Sequence, residues 1–177
     1  MKKLMLWAAV FCALLVYVIA FELSPLEKGK SPEKKLVKVF NASPDRIEAV
    51  EISTEDRKIT LMHKQNRWEL TSPSPEAVNQ ENADSLVSSL VDLVNIEVVR
   101  TEISDLRQFG LEQPTATVRL FLEGKTAPLT LLIGTDTPTG VSMYAMVKGE
   151  NEIIQVGTLL RFTINSFMDR YSRHQSS

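Results

Sequence analysis

Hydrophobic positions divide the chain into an N-terminal apolar run and a longer region of mixed patterns. Residues 4–21 (LMLWAAVFCALLVYVIAF) carry no charged side chain. As a helix, this run would measure about 27 Å, which is close to the roughly 30 Å hydrocarbon core of a bilayer. The pattern therefore predicts a transmembrane anchor over residues 1–23, with residues 4–21 in the bilayer.

A cleaved signal peptide is the alternative interpretation of this run. Lys2 and Lys3 form a basic start, and the run ends near the small residue Ala20. However, the run is longer than the roughly 7 to 15 residues of a usual signal core, and bulky side chains surround the cleavage position. We therefore favour a retained, single-pass anchor, with the bulk of the chain exported.

Residues 24–44 form a segment that is rich in charge, with prolines and a glycine in its first part. Such a composition favours an extended, solvated spacer over a packed core. The lysines of this segment would also suit anionic headgroups, but its glutamates offset them. The predicted linker holds the following domain away from the membrane.

Alternation of apolar and polar residues begins near residue 47 and predicts three strands of an antiparallel meander, interrupted by polar turns. One buried face is expected from Val50, Ile52, Ile59, Leu61, Trp68 and Leu70. An amphipathic helix follows, with Asn79 as one candidate cap and apolar residues spaced by three and four from Ala83 to Val94.

The same order of strands and helix recurs in the second half of the chain. Residues 104–114 predict a short capped turn that ends at Gly110, and strands are expected from residue 117 to residue 156. A closing helix is predicted from the spacing of Leu160, Ile164, Phe167, Met168 and Tyr171. The predicted class is α+β over residues 45–173, either as a duplicated βββα unit or as one sheet with both helices on one face, followed by a short tail over 174–177.

Charge and cysteine content exclude several classes of function. The chain has 20 Lys and Arg against 22 Asp and Glu, for a net charge of −2, and the two signs are interspersed. This balance lacks the basic footprint of a nucleic-acid-binding protein. The single cysteine, Cys12, lies in the predicted anchor, so the exported domain has no disulfide.

No catalytic or metal-binding motif is recognisable in the sequence. His63 and His174 are the only histidines and are far apart, and no serine lies in a nucleophile elbow. We therefore expect neither an enzyme nor a protein with a cofactor or a metal.

The most site-like segment is the loop of residues 134–140 (GTDTPTG), which combines two glycines with several hydroxyls. A small anion nest and a structural connection between hairpins are the two interpretations, and the lysine of a phosphate loop is missing. If the loop has a function, we expect Asp136, Thr137 and Thr139 to contact a partner. Among the aromatic residues that could mark an interaction surface, we expect most to lie in the core and Phe109, in an irregular connection, to be the exposed exception. The candidates are Trp68, Phe109, Phe121, Tyr144, Phe162 and Phe167.

Three short motifs, in this order after the anchor, resemble the bacterial domain of unknown function family 4340. They are residues 67–73 (RWELTSP), residues 109–118 (FGLEQPTATV), and residues 132–140 (LIGTDTPTG) with Tyr144. The resemblance implies a membrane-anchored extracytoplasmic protein, often encoded beside gliding-motility-type ABC transporter components. It supplies no catalytic residues.

Two functions remain open from the sequence. The first is an anchored accessory or scaffold protein that contacts an ABC transporter permease or other membrane-complex subunits. The second is a small extracytoplasmic ligand-binding protein or enzyme, which would need polar side chains converging in a concave pocket.

Overall fold

The computed structural model describes residues 11, 13–15, 17, 37–73, 75–99 and 105–171. The chain divides into two compact units, Met1–Lys35 and Leu36–Ser177. In the first unit, the few described residues are helical and exposed. The remainder of the predicted anchor, most of the predicted linker and the predicted tail lie outside the described residues. Across the described residues, no helix is both long and apolar enough to cross a membrane.

The second unit contains short and long strands and two α-helices. The strands are β1 (Val37–Lys38), β2 (Ile47–Thr54), β3 (Lys58–Lys64), β4 (Arg67–Ser72), β5 (Glu76–Ala77), β6 (Val94–Asn95), β7 (Glu97–Val99), β8 (Ala116–Leu122), β9 (Leu129–Asp136), β10 (Ser142–Val147) and β11 (Ile153–Gly157). The helices are α1 (Gln80–Val91) and α2 (Leu159–Tyr171), with 3-10 turns at Pro44–Arg46 and Leu106–Phe109.

Nine of these strands form one antiparallel sheet in the order β5-β4-β3-β2-β8-β9-β10-β11-β7. Each half of the chain is a meander followed by a helix, and the first long strands of the two halves, β2 and β8, pair at the centre. The predicted repeat of strands and helix is therefore built into a single sheet. The described unit has the predicted α+β composition.

Both helices cover the same face of the sheet. The six residues predicted for the buried face, from Val50 to Leu70, are all at most 5% exposed. The apolar stripes of α1 and α2 belong to the same hydrophobic cluster as these strand residues. Asn79 caps α1, because its side-chain oxygen accepts the Asn82 backbone N–H at 3.0 Å.

A side chain from α1 completes the outer edge of the sheet beside β4. The short strand β5 pairs with β4 only at Glu69 and Leu70. One residue earlier, the Gln80 amide accepts the Trp68 backbone N–H at 2.7 Å and donates to the Trp68 carbonyl at 3.0 Å. The Trp68 indole N–H donates to Asp84 at 3.0 Å. These bonds satisfy backbone groups that an open edge would leave unpaired.

The opposite face is covered over β9 and β10 by the connection that contains Phe109. Phe109 and Leu111 form a second hydrophobic cluster there with Met146 and Ile153. The connection lies so close to β9 that a Cβ added at Gly134 would overlap the Phe109 carbonyl oxygen. Gly110 ends the 3-10 turn with a φ of 66°, as its predicted left-handed role requires.

The folded unit begins earlier than the predicted domain start at residue 45. β1 pairs with β6, and Phe40 is only 1% exposed. The last part of the predicted linker therefore belongs to the fold. The prediction missed it because the apolar residues Val37, Val39 and Phe40 directly follow a charged segment, and composition alone did not separate the two.

A cross-strand ion-pair cluster lies on the part of the second face that the Phe109 connection leaves open. The Glu51 carboxylate pairs with Lys58 at 2.8 Å and with Arg119 on β8. Burial opposes the charged form of Glu51, but hydrogen bonds and charges from Lys58 and Arg119 outweigh it, so the pKa of Glu51 lies below its ordinary value. The cluster joins the two halves of the sheet at their central pair of strands.

We predict that Gly134→Ala destabilises the domain by about 2 kcal/mol or more, because the added methyl group must displace the Phe109 backbone. Gly157→Ala is the matched control, since Gly157 also lies in a strand and its nearest neighbour to an added Cβ is a side-chain atom at 4.0 Å. Urea unfolding of the purified full chain, followed by circular dichroism, measures both changes. Equal midpoints for the two variants would contradict the close contact.

We also predict that Glu51→Gln lowers the free energy of unfolding by about 1 kcal/mol at neutral pH. Since folding lowers the pKa of Glu51, its contribution is present above the ordinary value of about 4.5 and is lost as the pH falls through the folded-state value. The difference between wild type and variant should therefore shrink in acid. Glu48→Gln, on the same strand, is the control, and an equal acid dependence of the two variants would rule out the proposed role of the cluster.

Candidate functional site at the β9–β10 loop and the start of α2

The loop between β9 and β10 is a tight turn with its own hydrogen bonds. The Thr137 N–H donates to the Ser142 carbonyl at 2.9 Å, and the Gly140 N–H donates to the Thr137 carbonyl at 2.8 Å. Gly140 has a φ of 69°, which glycine adopts without steric cost. The glycine at the end of this motif is therefore explained by the shape of the turn.

The hydroxyl groups of the loop are used inside it. Thr137 is 6% exposed, and its hydroxyl lies 3.0 Å from the Ser142 carbonyl and 3.1 Å from the Thr139 hydroxyl. Ser142 donates in turn to the Gln155 side chain on β11 at 2.8 Å. Hydroxyls that an anion nest would need are thus engaged within the protein, which favours the interpretation of the loop as a structural connection.

An ion pair fixes the end of β9 to α2. The Arg161 guanidinium pairs with Asp136 at 2.7 Å and also donates to the Gly134 carbonyl at 3.3 Å. The side chains of Arg161 and Asp136 are 31% and 47% exposed. Because the Arg161 guanidinium donates both to the Asp136 carboxylate and to the Gly134 carbonyl, it holds the first turn of α2 beside the loop.

Three strongly exposed hydrophobic residues lie at this loop and at the start of α2. Val141 is 73% exposed, Leu159 is 74% exposed and Phe162 is 69% exposed, the highest values for large hydrophobic side chains described between residues 37 and 171. The pairing of Ser142 with Gly157 brings Val141 level with the residue that precedes Leu159. We call these three residues the apolar surface.

Phe162 also borders a groove of about 190 Å³ between α1 and α2. Leu86 and Phe167, which belong to the core, form its floor. The complete lining consists of Asn82, Ser85, Leu86, Phe162, Thr163, Ser166, Phe167 and Arg170. Phe162 is therefore the residue of the apolar surface that borders this groove, and polar side chains make up the rest of the groove's rim.

Phe109 is not exposed, and our expectation for it is wrong. Its side chain is only 8% exposed and contacts Tyr144 edge to face, with ring centroids 4.9 Å apart. The 3-10 turn carries Phe109 onto the free face of the sheet, where burial of a large aromatic is favourable. The irregular connection that contains Phe109 therefore covers part of this face of the sheet.

The other three predicted contact residues lie together in the loop. Asp136 is paired with Arg161, Thr137 is buried and Thr139 is exposed. Their role in contacting a partner stays a prediction. Phe162 was one of the candidate aromatics, but Phe109 was chosen as the exposed one, although the spacing that predicted α2 puts Phe162 opposite to Leu160 and Ile164 on the helix.

Residues that would suit metal chemistry are not grouped in the described part of the chain, where no cluster of three or more His, Cys, Asp or Glu side chains is found. His63 stacks on Trp68, with ring centroids 4.6 Å apart. His174 lies outside the described residues. The described histidine is thus part of the packing around β4.

A second groove, of about 170 Å³, lies where β2, β8 and β9 meet α2. Ala116, Ile133 and Ile164 are its apolar residues, and Thr54, Thr115, Arg161 and Asn165 are its polar residues. Both of its hydroxyls are already engaged, because Thr115 donates to the carbonyls of Ile133 and Gly134 and Thr54 donates to the Asp56 carboxylate at 2.9 Å.

Comparison with known proteins gives one family match. The profile of the family described as Domain of unknown function (DUF4340) matches residues 94–171, which include two of the three motifs and the whole apolar surface. The motif at residues 67–73 lies outside the match. Neither curated proteins nor solved structures include a match to the chain. The second half of the sheet, with α2, is therefore similar to the domain of unknown function 4340.

Proposed function

We propose that the chain is a membrane-anchored, extracytoplasmic accessory or scaffold protein that acts through protein–protein contacts. In this proposal, residues 4–21 hold it in the bacterial inner membrane as a single-pass anchor. The folded unit then contacts the permease or another subunit of an ABC-type transporter complex and carries out no catalysis of its own.

The apolar surface is the observation that carries this proposal. Val141, Leu159 and Phe162 expose most of their side-chain area on elements that are otherwise well packed. Large exposed apolar groups next to ordered polar groups are typical of contact surfaces, and aromatic residues often dominate binding energy. Since the Arg161–Asp136 pair fixes the neighbouring backbone, such a surface would bind with little loss of conformational entropy.

The family match adds support of a different kind. The apolar surface lies within residues 94–171, the range that matches the family. The chain resembles a family whose members are often encoded beside gliding-motility-type transporter components. This resemblance suggests a transporter subunit as the partner.

A ligand-binding protein is the second candidate, and the groove at Arg161 favours it. The groove combines an apolar floor with a few polar side chains, as small-ligand sites do. However, Arg161, the cationic residue in the lining of this groove, is paired with Asp136. Since a ligand would have to compete with this carboxylate, we favour the contact function.

We predict that Phe162→Ser reduces the amount of transporter permease that co-purifies with the chain by about tenfold or more, as expected for an aromatic contact residue. The measurement is affinity purification of the tagged full chain from detergent-extracted membranes of the source bacterium, with subunits quantified by mass spectrometry. Met62→Ser is the matched control, because Met62 is a partly exposed hydrophobic residue on the sheet.

Equal recovery of permease with both variants would contradict the role of the apolar surface. Recovery of the wild-type chain without any transporter subunit would overturn the proposed function itself.

A further inference from the structure

The groove between α1 and α2 has one cationic side chain and no carboxylate in its lining. Arg170 supplies the cation, and it makes no ion pair with any carboxylate described in the structure. Two acids that adjoin the groove on these helices are engaged elsewhere. Asp169 pairs with Arg57, and Asp84 accepts the Trp68 indole N–H at 3.0 Å.

A second donor in the groove also lacks an acceptor. The Asn82 side-chain amide nitrogen is buried and has no hydrogen-bond partner among the described residues. The backbone N–H of Asn82 is already satisfied by Asn79, so the orphan group belongs to the side chain alone. A buried donor without an acceptor is costly. A turn of the Asn82 side chain toward the groove, which this residue lines, would bring the nitrogen to an incoming acceptor and remove that cost.

Apolar contacts lie beside these two donors. Phe162 stands 69% exposed at the rim, and Leu86 and Phe167 close the floor. The groove therefore offers a cation and an amide donor next to an uncovered aromatic ring, which complements an acceptor flanked by an apolar group.

We propose that this groove binds an acidic–apolar segment of the partner protein. A carboxylate of the segment accepts hydrogen bonds from Arg170 and Asn82, and an apolar residue next to it packs on Phe162. The inference rests on the proposed function, in that the occupant is a protein, and it adds the chemistry of the segment that binds.

An anionic membrane surface fits the groove less well. Binding to anionic lipids needs several basic residues, each contributing about 1 kcal/mol near the surface, and this groove has a single arginine. A carboxylate held by a guanidinium and an amide is recognised by direction as well as by charge.

Photocrosslinking tests the inference in the full chain. Phe162 is replaced by p-benzoylphenylalanine, which keeps an aromatic ring at the rim, and the chain is expressed in the source bacterium and irradiated in its membrane. Mass spectrometry then maps the crosslinked segment. We expect a segment of another protein that has Asp or Glu within a few residues of an apolar side chain.

Charge variants make the test specific. We expect Arg170→Glu to lower the crosslink yield by about tenfold, and replacement of the partner's carboxylate by arginine to restore the yield in that variant. Asn82→Asp, a substitution of nearly equal size, should lower the yield severalfold. Arg67→Glu is the control, since Arg67 is exposed on β4, and it should leave the yield within about twofold.

A yield that does not change with Arg170→Glu would overturn the inference. So would a crosslink to a second copy of this chain, to lipid, or to a segment without a carboxylate. If permease recovery depends on Phe162 while the crosslink ignores Arg170, the inference fails and the proposed function stands. If no subunit co-purifies and no protein is crosslinked, both fail.

Discussion

Both faces of the nine-stranded sheet carry hydrophobic residues that must be covered. The cover of the second face depends on a close backbone contact between Phe109 and Gly134. Two helices cover one face, and the Phe109 connection covers part of the other by pressing its carbonyl group against Gly134. Any side chain at Gly134 would lift the connection from β9 and expose its hydrophobic cluster to water. The motifs around Phe109 and Gly134, which are far apart in sequence, are therefore two sides of one contact.

This contact also fixes the part of the chain that we assign to binding. Gly134 lies two residues before Asp136, and both positions are joined to Arg161 on α2. The turn that follows is closed by Thr137 and Ser142. As a result, Val141 and Leu159 are exposed on a framework with little freedom to bury them. Their exposure follows from the way in which the end of β9 and the turn after it are held in place, so the apolar surface is built into the fold.

Much of the fold follows from periodicity. Alternation located the long strands, and spacing by three and four located both helices, because each element buries one face. Val94, which this spacing placed in the first helix, lies instead in β6, after α1 has ended at Val91. The short strands β1, β5 and β6 were missed, because each has only two residues and a segment of that length shows no alternation of apolar and polar positions. The order of the strands was not predictable either, because the central β2–β8 pair joins residues that are about seventy positions apart.

The candidate site was predicted less well than the fold. The loop of Asp136, Thr137 and Thr139 was identified from its composition, but the exposed aromatic was assigned to Phe109 instead of Phe162. Phe109 lies in an irregular segment, and no period shows which way such a residue turns. For Phe162 the signal was present, since it lies opposite to the apolar stripe of α2, where an aromatic side chain has no core to enter.

Hydrogen–deuterium exchange of the full chain, alone and in the purified transporter complex, tests most directly whether this end of the sheet is the contact surface. We expect slower exchange in the complex at residues 137–142 and 159–170, and little change on the open face of the sheet around Met62 and Phe121. Protection of that open face, with no change in the loop and α2, would contradict the assignment.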